Sequence, residues 1–248
     1  MMTGPSIPSA AADLVQDSDN IHNLLYFPFH GISGCIHATL VLSGEPYKLS
    51  TVDFPVMLGF RPNWRTQKAL TPFGHVPVLR EETKCGQTIE LAEVMVIEQF
   101  LANRAGLLGK NSWEESLIKM YQSSTHALMS YLIHTVVQSP KDTQPAFLER
   151  YRKVNIPEWI RFHEKHLRDN GSNGHYVGDQ LSIADIKTAT VIDHLVRLCG
   201  DKVQISDELT PAIMAVKYSL EKHPKYAEWR ASDQYQAFTG ANIAFFGF

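Results

Sequence analysis

The sequence predicts two structural classes in series, α/β and then all-α. Short apolar or aromatic runs of strand length, separated by Gly and Pro, fill the part before Ala105–Gly106. Beyond it the apolar residues recur at three and four, over Ser112–Gln138 and over Pro157–Asp169, with no strand signal. A capping pattern at Ser182–Asp185 opens a further helical segment, Ile183–Cys199.

In chain order, Leu24–Phe27 (LLYF) has the apolar, aromatic make-up of a buried strand. Gly31 and Gly34 end it, and Ile36–Leu42 has helical spacing closed by Gly44 at a C′ position. Tyr47–Val52 alternates as a second strand. Val56–Leu70 carries Gly59 and Pro62 without a clean period, and reads as loop with a short helical turn. Val76–Leu79 is a third strand, and EETKCGQ turns into a fourth at Thr88–Ile89. Leu91–Ala102 is the next helix. The order β-α-β-(α)-β-β-α is a thioredoxin-like pattern. The expected division is a flexible tail over residues 1–21, a thioredoxin-like domain over 22–105 and an all-helical bundle domain over 106–248. In VGDQLSIADI (Val177–Ile186), Ser182 and Asp185 form the capping box while Leu181 and Ile186 stand at the staple positions. That segment is a folding signal, worth about 1 kcal/mol for the cap, and not a catalytic one.

Composition narrows the partners. The chain has 248 residues, 44% hydrophobic and 20% charged, with a net charge of −3. This is an ordinary globular balance, without the basic excess that nucleic acid or an anionic membrane surface selects. No apolar run approaches the roughly 20 residues that span a bilayer. MMTGPSIPSAAADLVQDSDN lacks a basic n-region and an apolar h-region, so a cytoplasmic location is expected. Cys35, Cys85 and Cys199 have no paired or CxxC spacing, which argues against a disulfide framework and a dithiol site. Histidines are scattered; His163 and His166 lie close, but no third ligand stands at metal spacing, and no metal is expected.

The richest stretch is PFGHVPVL (Pro72–Leu79) followed by ELAEVMVIEQFLA (Glu90–Ala102). Pro77 heads a strand without a backbone donor, and X-Pro bonds alone turn cis at modest cost, about 0.5–1 kcal/mol. Val76–Pro77 is therefore the cis candidate, which would turn the Val76 N–H and C=O toward an extended peptide ligand. The N-terminal amides of the following helix can hold a carboxylate.

Four segments, LLYFPFHG, the Trp64-x-x-x-Lys68 spacing, PFGHVPVL and GDQLSIAD, resemble the cytosolic glutathione transferases from about residue 22 onward. The likeness is greatest to their tyrosine-type (sigma-, alpha- and pi-like) classes. The resemblance implies glutathione as co-substrate, a homodimer, and an activated thiol attacking a hydrophobic small molecule. It makes Tyr26 the catalytic hydroxyl, which lowers the thiol's pKa by bonding to the charged sulfur. Serine-type members use a hydroxyl further on, where Ser33 stands. Trp64, Lys68 and His75 are matched to the glycine end, Val76 and Pro77 to the cysteinyl part, and Glu93 and Val94 to the γ-glutamyl end. Val94 replaces the usual Ser or Thr, Ile32 an Arg, and Ser123 lies near where a partner-subunit Asp is common. A lost hydrogen bond to a charged group costs about 1.5–3 kcal/mol, so weakened glutathione binding is expected.

The second-substrate site is expected between the domains, from Phe29, His30, His126, Met129 and Tyr131. The aromatic tail FTGANIAFFGF (Phe238–Phe248) folds back as a lid on that site or docks on the helical core or a dimer face. Two other functions use the same residues. One is a glutathione-dependent cis-trans isomerase working by thiolate addition and elimination; the other is a non-catalytic ligand-binding protein of the same fold.

Overall fold

The computed structural model describes residues 20–52, 68–83, 86–199 and 203–246. Four strands, β1 (Ile21–Tyr26), β2 (Tyr47–Thr51), β3 (Val78–Glu82) and β4 (Thr88–Ala92), form one sheet in the order β2-β1-β3-β4. β1 and β2 are parallel, and the other neighbouring pairs antiparallel. Helix α1 (Gly34–Ser43) makes the β1–β2 crossover, and α2 (Val94–Arg104) follows β4. The rest is helical: α3 (Ser112–Tyr131), continued by a π-turn to Val137, α4 (Gln144–Arg150), α5 (Ile156–Asp169), α6 (Ile183–Cys199), α7 (Pro211–Glu221), α8 (Pro224–Ala231) and α9 (Asp233–Phe246). This is the thioredoxin-like α/β unit followed by an all-helical unit.

Boundaries differ from the sequence reading where tertiary pairing decides them. β4 runs on to Ala92, because Leu91 and Ala92 pair with Leu79 and Val78, so the helix begins at Val94 and not at Leu91. β1 begins at Ile21, one residue inside the expected tail. Gly44 closes α1 in the left-handed conformation, φ 72°. The Val56–Leu70 expectation falls mostly outside the described residues.

α1 is buried over every residue from Gly34 to Leu40. The cause is its position between two cores. Ile36 and Leu40 pack with Leu24, Leu79, Ile97 and Leu101 of the sheet unit, while Cys35 and Ala38 join Ile186, Ile192 and Leu195 of α6. A helix apolar on all sides belongs in such a place. The two units are also joined by a buried ion pair, Lys187 Nζ to Glu98 Oε1 at 2.6 Å, with Gln122 Nε2 donating to Glu98 Oε2 at 2.9 Å.

Among the described residues, no helix is long and apolar enough to cross a membrane. No group of three or more His, Cys, Asp or Glu there is arranged to hold a metal ion.

Candidate active site

Strand register gathers the site. Leu25, Val78 and Ala92 lie in one row across β1, β3 and β4. One step beyond that row, at the same end of the sheet, come Tyr26 from β1, the Val76–Pro77 segment entering β3, and Glu93–Val94 leaving β4. Residues separated by 50 and 67 positions thus meet at one edge because the neighbouring strands are antiparallel. The Val76–Pro77 bond is cis, as its sequence context predicts. Among the described residues the Val76 N–H and C=O carry no hydrogen bond within the chain.

Tyr26 is 5% exposed. Its alternation with His22 and Leu24 turns it to the buried face of β1. Its hydroxyl oxygen accepts a hydrogen bond from the Ile32 N–H at 3.3 Å. Burial pushes the phenol well above its ordinary range, and the Ile32 bond pulls the other way. Tyr26 therefore stays protonated near neutral pH, with its O–H available to donate. The turn that carries Ile32 passes over the ring because Gly31 adopts φ 44°. A Cβ at Gly31 would lie 2.6 Å from the Tyr26 hydroxyl and 2.6 Å from the Phe29 ring. Ser33 is buried and donates to the His30 carbonyl at 3.0 Å, so its hydroxyl closes the turn.

Glu93 is exposed at the N-cap of α2 and holds φ 72°, ψ 121°. A non-glycine residue in that region costs of order 1–3 kcal/mol and persists where the surroundings fix it. The strand ends and the helix starts within one residue, and the first-turn amides of α2 have no intrahelical acceptors. Val94, at the first helical position, is buried in the sheet-side core. Lys68 is exposed, and its side chain runs along Gly74 in the loop before β3. His75 is exposed on that loop and Pro77 is buried. Trp64 lies outside the described residues.

The residues named for a second substrate divide. His30 and Met129 line one cavity of about 30 Å³ together with Lys187, His194 and Asn242. A space of that size takes roughly one or two waters. Phe29 is sealed under Phe245 and Phe246, with ring centroids at 5.1 and 6.0 Å. His126 and Tyr131 do not line that cavity; Tyr131 stacks on Tyr151 at 5.8 Å. A larger cavity, about 510 Å³, involves Leu42, Leu107, Ile118 and Leu181. It lies by the C-terminal end of α1, at the opposite end of the sheet from Tyr26.

Sequence reasoning missed the residues that tie the tail to this site. Asn242 Oδ1 accepts from the Gly31 N–H at 2.9 Å, and Thr239 Oγ1 lies 3.1 Å from His30 Nε2. The aromatic tail was the only signal, and it drew notice to its rings and not to the polar residues between them. α9 covers the turn after β1.

The comparisons agree with this architecture. The family model described as glutathione S-transferase, C-terminal domain, matches residues 126–233. The class-mu 28 kDa glutathione S-transferase isozyme of Schistosoma japonicum is 22% identical over 215 residues, covering 87% of this chain and 99% of that protein. Glutathione S-transferase A2 of Bos taurus is 26% identical over 192 residues, covering 77% and 76%. Prostaglandin synthase D of Nilaparvata lugens has the same fold, with a TM-score of 0.72 at 23% identity over 86% of this chain and 98% of that one. The sigma-class transferase of Fasciola hepatica gives 0.69 at 22%, over 87% and 99%. Over most of its length the chain is thus similar to glutathione S-transferases, and it has their fold, a thioredoxin-like sheet unit followed by a helical unit.

Proposed function

We propose that this protein activates the glutathione thiol for attack on a hydrophobic electrophilic small molecule. The observation that carries the reading is the meeting of a protonated, buried Tyr26 hydroxyl, the Val76–Pro77 segment and the strained Glu93 at one end of the sheet.

The available groups suit a γ-glutamyl tripeptide. The α2 amides, Val94 N–H included, take the γ-glutamyl carboxylate, and the Glu93 carboxylate takes its ammonium. The Val76 N–H and C=O pair with the cysteinyl backbone as an added strand. Lys68, His75 and Trp64 serve the glycine carboxylate. The Tyr26 O–H donates to the sulfur, favouring thiolate over thiol as the proton leaves to solvent. The sulfur lone pair then forms the C–S bond, and the displaced group departs with its bonding pair. Of the five residues expected to line a pocket for the electrophile, His30 and Met129 share a cavity, and its volume of about 30 Å³ means that α9 must shift to admit such a molecule.

The missing hydroxyl at Val94 favours a second reading. In cis-trans isomerisation the thiolate adds to a conjugated alkene, the bond rotates and the thiolate leaves. Glutathione is then regenerated, so a loose hold is tolerated. Measuring whether glutathione is consumed per turnover separates the two. Homodimerisation in the cytoplasm fits either, and the exposed apolar side chains Phe73 and Val96 on the sheet unit would gain cover from a partner.

The test is a calorimetric titration with glutathione, alongside the thiolate's ultraviolet absorbance as a function of pH. Millimolar or tighter binding with proton release is expected, and Tyr26→Phe should cut the thiol chemistry about tenfold or more with affinity nearly unchanged. A flat titration would leave the non-catalytic ligand-binding reading in its place.

A further inference from the structure

α9 reaches the turn after β1 through side chains whose roles geometry assigns. The Gly31 N–H can only donate, so the Asn242 atom facing it at 2.9 Å is the amide oxygen. The Asn242 NH2 then faces His194 Nδ1 at 2.7 Å and donates to it, which puts the His194 proton on Nε2. Burial lowers His194 to about 3, in keeping with a neutral ring. Asn242 is 2% exposed. Docking of α9 does not need this polar residue, because Phe245 and Phe246 already pack on Phe29. What needs it is the Gly31 N–H, which would otherwise be a buried donor without an acceptor.

The next N–H in the chain belongs to Ile32, and it donates to Tyr26. We propose that Asn242 is a positioning residue for Tyr26: by holding the Gly31 N–H, it sets the 31–33 turn so that the Ile32 N–H donates to the Tyr26 hydroxyl oxygen. A phenol that accepts such a bond is a better donor through its own proton, since chained hydrogen bonds polarise one another. The inference rests on the reading of Tyr26 as the partner of the glutathione sulfur. It adds that the last helix tunes that partner from behind, without touching the tripeptide.

Two readouts test it on the full chain, in Asn242→Ala and in Asn242→Asp, which keeps an acceptor for Gly31. The first, made without glutathione, is amide hydrogen exchange at Gly31 and Ile32, with the β1 amides as the control for folding. In Asn242→Ala both turn amides should exchange about tenfold faster or more while β1 is unchanged, and Asn242→Asp should restore protection. The second is the pKa of the bound thiol, read from thiolate absorbance. It should rise by about one unit in Asn242→Ala, with glutathione affinity within about twofold, and fall back in Asn242→Asp. Unchanged exchange at Ile32 would overturn the proposal, as would faster exchange with an unmoved thiol pKa. If the wild-type chain bound no glutathione, the functional reading would fall, while the exchange measurement would still decide whether Asn242 holds the turn.

Discussion

Glu93 is the residue at which the fold and the proposed binding of glutathione are most openly opposed. Its φ of 72° is the price of turning from β4 into α2 without a loop. Glu93→Gly should therefore raise stability by about 1 kcal/mol in thermal melts while weakening glutathione binding in calorimetry. Gly31 is the reverse case. Gly31→Ala meets both a positive φ and two contacts at 2.6 Å, so it should destabilise by about 2 kcal/mol and lower thiol chemistry, because the Tyr26 ring must move. Val94→Ser should tighten glutathione binding by about tenfold or more; no gain would place the carboxylate elsewhere. At this scale, the legible residues were those with a local signature. Pro77 announced itself through its ring and Tyr26 through its place at a strand end. His22 did not. It stands ahead of the strand expected at Leu24–Phe27, yet it lies in β1, fully buried between the carboxylates of Glu81 and Glu45, with Arg104 completing the cluster. Its partners come from other elements and leave no trace in the local pattern.

Among elements, helix starts show the same division. α6 begins where the capping box predicts, but the work falls on Asp185 more than on Ser182. Its carboxylate accepts from the Ser182 N–H at 2.8 Å, the Ser182 hydroxyl at 2.9 Å and the Tyr176 N–H at 2.8 Å. Asp185→Ala leaves three donors without that acceptor and should cost about 3 kcal/mol or more, measured by denaturant unfolding. α7 has no comparable local cap. The N–H groups of Ala212 and Ile213 donate instead to Glu164 on α5, at 3.1 and 3.0 Å. Pro211 suits the first position of α7, but no local residue discloses Glu164. Binary pattern and caps made the elements readable, whereas their polar joints were set by tertiary packing.

For the whole molecule, buried histidines govern the response to acid. Burial lowers His30 and His126 to about 4 and His37, His163 and His194 to about 3. Each is neutral when folded but takes a proton below about pH 6.5 when unfolded. Stability from these groups is thus present above pH 6.5 and declines as pH falls toward 4. His22 acts oppositely. Burial disfavours its charge, but the bonds and charges of Glu81 and Glu45 outweigh this and raise its pKa. Its contribution is complete below pH 6.5 and is lost as pH rises through the raised value. Melting temperatures should therefore fall steeply below about pH 6, and His30→Gln should flatten that slope. Between the units, Lys187→Met strands the Glu98 carboxylate in the core and should cost about 3–5 kcal/mol, whereas exchanging both partners for apolar residues should cost much less.

The contacts of Thr239 and Asn242 with His30 and Gly31 span 209 and 211 residues of chain. During synthesis the sheet unit can fold long before those residues leave the ribosome, since domains form as units from the N-terminal side. The turn beside Tyr26 then waits, with its Gly31 amide unmet, for the last helix to arrive. Closing so long a loop is slow and comes late. A chain that has formed its sheet but not yet docked α9 should therefore hold that turn loosely, with the Gly31 and Ile32 amides exchanging about as fast as in Asn242→Ala.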